Sequence, residues 1–195
     1  RVLGYNLIFE PLFFLFSNWR IVRILGQALW YLVLLASIWY FCGKIGLRKY
    51  YGLIATAFII PYSEQYFCYF LCNINYIPFL SISFISMGMM FDFAHCDRKR
   101  KRTVLLALSG LLAFGAGLGG SRQLYTTYAP LFLAAAAYFL LKGTGLEGFL
   151  AAKKKKSEEY SFLVIAASGL VFNLAGYLVN NTLLASIYDF RSYDT

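Results

Sequence analysis

Basic residues in this chain fall into three clusters separated by long apolar stretches. Lys44, Arg48 and Lys49 form the first. Arg98, Lys99, Arg100, Lys101 and Arg102 form the second, and Lys142 with Lys153, Lys154, Lys155 and Lys156 the third. Together they hold 13 of the 18 Lys and Arg residues, and two hydrophobic segments fit between each pair of clusters. Lys and Arg beside a membrane span resist translocation, so such loops stay in the cytoplasm. The pattern predicts a multi-pass protein of the cell membrane, with loops 44–49, 96–102 and 142–159 cytoplasmic.

The chain is 60% hydrophobic and 14% charged, with a mean hydropathy of +0.62. Soluble domains are about half apolar and a quarter charged, so the surplus calls for lipid as solvent. The net charge of +9 raises the question of nucleic acid. Yet the cations sit at segment ends rather than on one face with interleaved aromatics, which excludes a nucleic-acid surface. Anionic lipid headgroups are the expected partners of the cytoplasmic basic loops.

A helix needs about 20 residues to span the hydrocarbon core, and helices satisfy their own backbone polar groups there. Six segments meet or approach that length: 24–42, 51–71, 76–92, 103–119, 125–141 and 161–179. The expected fold is therefore all-α, a polytopic transmembrane bundle of about six spans over 24–180. Residues 1–23, apolar but broken by Gly4, Asn6, Glu10 and Pro11, read as an external interfacial helical segment. Residues 181–195 read as an external tail. The chain opens on Arg1 with no methionine before Met87, and six crossings leave both ends outside, so further flanking sequence is expected.

Finer signals shape this outline. Trp30, Tyr31, Trp39 and Tyr40 suit the ends of the first span. Pro61 interrupts the second, which should kink or end early, with Glu64 near the outer interface. Ser109, Ala113 and Gly117 recur every fourth residue in the fourth span, and Gly115 and Gly119 make a G-x-x-x-G; either ridge permits close helix approach. Thr127 resembles an N-cap before Pro130. Cys42, Cys68, Cys72 and Cys96 read as packing residues. His95 reads as a solvated loop residue, and Asp92 and Asp97 balance the basic run.

In an apolar chain the polar residues kept at the outer mouth point to function. Arg122 and Gln123 follow a glycine-rich helix end, with Ser121, Tyr125, Thr126 and Tyr128 around them. A guanidinium there grips a phosphate through paired hydrogen bonds, or else anchors the helix end by snorkelling. A second polar group, Asn180, Asn181, Asp189, Arg191, Tyr193 and Asp194, suits a sugar or phosphate site, or a solvated linker. In a third, Glu64 with Gln65, Asn73, Asn75 and Tyr76, the carboxylate could act as a base or a proton carrier, or simply face interfacial water. No metal-ligand constellation, Walker loop, dinucleotide fingerprint or G-x-S-x-G is present, and no cofactor is identifiable.

At Asn18-Trp19-Arg20 leading to Arg23, at Tyr76-Ile77-Pro78, and at Gly119-Gly120-Ser121-Arg122-Gln123 before Pro130, the chain resembles GT-C class membrane glycosyltransferases and their uncharacterised bacterial relatives. The resemblance covers most of the chain in layout and only these short strings in residues. It implies transfer of a sugar from a polyprenyl-phosphate carrier to a cell-surface glycan or lipid of the envelope. The class carries one or two acids in its first external loop, as base or ligand to a divalent metal. Here Glu10 alone is available, followed by Pro11. On this reading Arg122 binds the lipid-linked phosphate while Gln123, Tyr125 and Tyr128 shape the sugar pocket. Asp189 and Arg191 are further substrate-binding candidates, and Glu10 and Glu64 the candidate catalytic acids. A transporter or flippase and a noncatalytic membrane assembly subunit are the alternatives.

Overall fold

The computed structural model describes residues 6–60, 62–66, 76–141, 158–184 and 186, with side chains from Pro11 onward. Every regular element among them is helical, as expected. Five helices are long and apolar enough to cross a membrane: Trp19–Lys44, Ile77–Ala94, Lys99–Leu118, Leu124–Leu141 and Glu158–Leu184. That is close to the six expected. The chain divides into two compact units, Leu3–Gly88 and Met89–Thr195 with Arg1–Val2.

In the first unit, α1 (Asn6–Leu15) leads to exposed Phe13, Phe14, Leu15 and Phe16. Asn18 is extended and its Oδ1 accepts the Arg20 N–H at 3.0 Å, an N-cap that starts α2 (Trp19–Lys44). The helix thus begins before the expected position 24 and takes in Arg20 and Arg23. Its 26 residues rise about 39 Å, beyond the roughly 30 Å hydrocarbon core. Val22, Gly26, Trp30, Leu34, Ile38 and Cys42, each four residues apart, form its buried ridge. Trp30 is therefore core, correcting its expected place at a span end. Past α2, Gly46 takes φ +76° and the Leu47 N–H donates to the Cys42 carbonyl at 2.9 Å, a glycine C-cap.

The second expected span is broken. The α3 helix (Tyr51–Ile59) stops where Ile60 turns extended at φ −73°, ψ 123°. Ile60 precedes Pro61, and the proline ring disfavours helical backbone in the residue before it. Nine residues rise only about 13.5 Å. A single turn, α4 (Glu64–Tyr66), follows, its Tyr66 N–H held by Ser63 Oγ at 3.0 Å. Tyr66 stacks on Tyr62 and donates its hydroxyl to the Phe58 carbonyl at 2.8 Å. The remainder of that expected span lies outside the described residues.

The helix α5 (Ile77–Ala94) begins in this unit. Gly88 lies against Tyr40 and Phe41, where an added Cβ would strike the Tyr40 ring. Ile77, near the start of α5, joins the cluster of Trp30, Leu34, Ile38 and Cys42. Both contacts require α2 and α5 to run in the same direction.

The second unit contains the end of α5, α6 (Lys99–Leu118), α7 (Ala129–Leu141) and α8 (Glu158–Val179). The largest helix contact joins α6 to α8. Arg102 meets Ser161, Ala113 meets Asn173 and Gly117 meets Tyr177, so these two helices are parallel. The intervening α7 runs the other way, with Tyr128 just before it against Gly169 and Tyr138 against Phe162. Phe93, Leu105 and Ile165 form one core cluster, and Ala135, Phe162 and Ala166 another.

Small residues set the α6–α8 distance. A Cβ at Gly117 would collide with the Asn173 carbonyl, and one at Gly176 with the Phe114 carbonyl. The Ser109, Ala113, Gly117 ridge is the buried one, as its spacing suggests. Gly115, from the overlapping G-x-x-x-G, has open space where a side chain would go.

Candidate functional site

The parallel pair gives the second unit two chemically distinct ends. At the basic end, Lys101 Nζ bonds Asp92 Oδ1 at 2.8 Å, as the sequence suggests for that carboxylate. Arg102 bonds Ser161 Oγ at 3.0 Å and lies over the Phe93 ring. His95 is exposed, as expected, but not idle. Its Nε2 sits 3.5 Å from Glu158 Oε1, and its Nδ1 is 2.9 Å from the Phe91 carbonyl. Cys96 is buried and free, as is Cys42 in the first unit, in keeping with packing roles.

The opposite end holds the residues singled out as a mouth. The α6 helix closes with the Gly120 N–H donating to the Gly117 carbonyl at 2.9 Å. Gly120 then takes φ +109°, a conformation that side chains rarely adopt, and the chain returns to helix at Arg122. Leu124–Tyr128 is π-helical before α7, with the Ala129 N–H bonded to the Leu124 carbonyl. π turns are rare and concentrate at functional sites.

This local fold sorts the candidates into two groups. Arg122 and Tyr125 are exposed, Tyr125 at 70%. They lie three residues apart at the start of this helical segment. Gln123 and Tyr128 are buried instead. Gln123 Oε1 accepts the Thr127 hydroxyl at 2.6 Å, and the Tyr128 ring covers Gly169. Thr127 is consequently a buried partner of Gln123 rather than an N-cap. The Thr126 hydroxyl donates to the Arg122 carbonyl at 2.9 Å.

The remaining candidates lie in the first unit or outside the described residues. Glu64 is exposed on α4 in the first unit. Glu10 belongs to α1, with its side chain outside the described residues, and Asp189 and Arg191 also lie outside them. Among the described residues of the second unit, the carboxylates are Asp92, Asp97, Glu158 and Glu159, all at the basic end. Among the described residues, no three His, Cys, Asp or Glu side chains come together to hold a metal. The end with Arg122 can therefore bind an anion beside an aromatic ring, but it carries no described general base.

Sequence reading passed over Asn173, which is as deeply buried as Gln123. It is fully buried within α8, and its Nδ2 donates to the Ala113 carbonyl on α6 at 2.9 Å. The available signal was a lone amide in an apolar span, with Gly169 and Gly176 on the same helix face. Asn180 opens a second π-helical stretch, Asn180–Leu184, and is also buried.

Comparison with family models, with curated proteins and with solved structures found no match.

Proposed function

We propose that this multi-pass membrane protein acts in glycosyl transfer at the outer membrane surface, using Arg122 to hold the phosphate of a polyprenyl-phosphate-linked sugar. The observation that carries the reading is the joint exposure of Arg122 and Tyr125 at the end opposite the basic cluster. A guanidinium offers two parallel donors to a phosphate. The neighbouring tyrosine offers a ring face and a hydroxyl to the sugar. Tyr128 packs the π turn against α8 and Gln123 is buried with Thr127, so both support the segment rather than touch the sugar. Positive-inside loops orient the protein, and their Lys and Arg engage anionic lipids on the cytoplasmic leaflet.

The test is donor turnover by the intact protein with a polyprenyl-phosphate-linked sugar. A charge-assisted hydrogen bond contributes about 1.5–3 kcal/mol, so Arg122→Ala should slow turnover by roughly 10- to 100-fold. Arg122→Lys should recover only part of it, because an ammonium lacks the paired donors. Unchanged turnover in both variants would remove Arg122 from the reaction.

The break between α3 and α4 favours a second reading, a transporter or flippase, since discontinuous helices mark transport sites. On that reading Glu64 carries the coupling proton, and proteoliposome flux should disappear in Glu64→Gln. A noncatalytic assembly role draws on the close α6–α8 seam alone.

A further inference from the structure

Two amide oxygens are buried without a hydrogen-bond partner, Asn173 Oδ1 in the α6–α8 seam and Asn180 Oδ1 in the π-helical stretch just past α8. The orientation of Asn173 is fixed by chemistry, because only its Nδ2 can donate to the Ala113 carbonyl. Its Oδ1 therefore points elsewhere as a pure acceptor. Asn180 lies two turns nearer the Arg122 end, a rise of about 10.5 Å. It is 8% exposed, whereas Asn173 is fully buried.

We propose that the seam and the turn that follows α8 bind neutral hydroxyl donors, with Asn173 Oδ1 as the deep acceptor and Asn180 Oδ1 as the acceptor nearer the rim. Three observations define the ligand. An acceptor-only oxygen requires a donor or a cation. Among the described residues a cation would meet no balancing carboxylate, because the described acids of this unit all lie at the basic end while Arg122 adds positive charge at this one. Size sets the third limit. Tyr128 covers Gly169 and Phe114 crowds Gly176, so close packing flanks Asn173 on both sides. The deep position accepts a single water or hydroxyl group, as buried polar atoms commonly do. At Asn180 the hydroxyl comes from water or from a lipid headgroup, and the adjoining π turn interrupts the regular helix there. The proposal is independent of the glycosyl-transfer reading.

Solid-state NMR of the full chain with isotope-labelled asparagine tests it. One sample uses phosphatidylcholine bilayers, whose headgroups carry no hydroxyl, and the other includes labelled phosphatidylglycerol. The expected result is a proton cross-peak from water to the Asn173 carboxamide in both bilayers. At Asn180, a cross-peak from water alone identifies water as its occupant, and one from glycerol hydroxyls identifies the lipid. Asn173→Leu and Asn180→Leu serve only to assign the signals, so the test stands on the unmodified chain even if either variant misfolds. Absence of any water or hydroxyl cross-peak at Asn173 in both bilayers overturns the proposal.

Discussion

Gly176 has no room for even a methyl group, because the Phe114 backbone occupies that space. Gly176→Ala must push α6 and α8 apart, and overpacking of this kind costs about 1–3 kcal/mol. Gly115→Ala meets open space and should gain up to about 1 kcal/mol from helix propensity. Unfolding by graded SDS addition to protein in mixed micelles would compare the two, and the substitutions should move stability in opposite directions. The pair also shows what spacing can reveal. The i, i+4 ridge of Ser109, Ala113 and Gly117 was legible because three small residues aligned on one face. Gly115 matched a motif equally well, but a single helix sequence does not disclose which ridge its neighbour covers. The burial of Gln123 and Tyr128 was not legible for a related reason. Residue type suggested a binding mouth, while Tyr128 packs against Gly169 of α8 and Gln123 is buried with its partner Thr127.

Of two helix ends set by local chemistry, the stop before Pro61 was legible, while the start of α2 at Asn18 was passed over for position 24. Asn18 caps α2 through its own side chain, and Ile60 leaves the helix because proline follows. Thr127 misled because its hydroxyl bonds Gln123 inside a helix that had already begun. The stop after α2 is testable. Gly46 holds φ +76° with no neighbour crowding the Cβ position, so any penalty for a side chain there is conformational rather than steric. Left-handed backbone costs a non-glycine residue about 1–2 kcal/mol. Gly46→Ala should destabilise the protein by that amount, and Gly52→Ala, also uncrowded but within α3, should not. The same graded unfolding measurement distinguishes them. A harmless Gly46→Ala would mean that the turn is not held in its left-handed form by the Leu47 to Cys42 hydrogen bond.

For the whole molecule, helix direction matters more than helix count. Because α6 and α8 are parallel, Arg102 and Ser161 share one end, while Gly117 and Tyr177 share the other. In the first unit α2 and α5 also run together, so the chain between Lys44 and Ile77 must return across the bilayer if both helices span it. With its 9 residues α3 is too short to make that return alone. Span number was therefore less legible than fold class: hydropathy measures the apolar length of 51–71, while Pro61 controls whether it forms one helix. Sidedness rests on the basic clusters and is open to direct measurement. In a chain freed of its native cysteines, Thr126→Cys should react with a membrane-impermeant maleimide in intact cells. Lys99→Cys should react only after permeabilisation. Both sites are exposed on the protein, so unequal labelling would report the membrane barrier rather than burial. The reverse result would turn Arg122 and Tyr125 toward the cytosol. A lipid-linked sugar presented at the outer leaflet could then no longer reach them, and the glycosyl-transfer reading would fail at its first step.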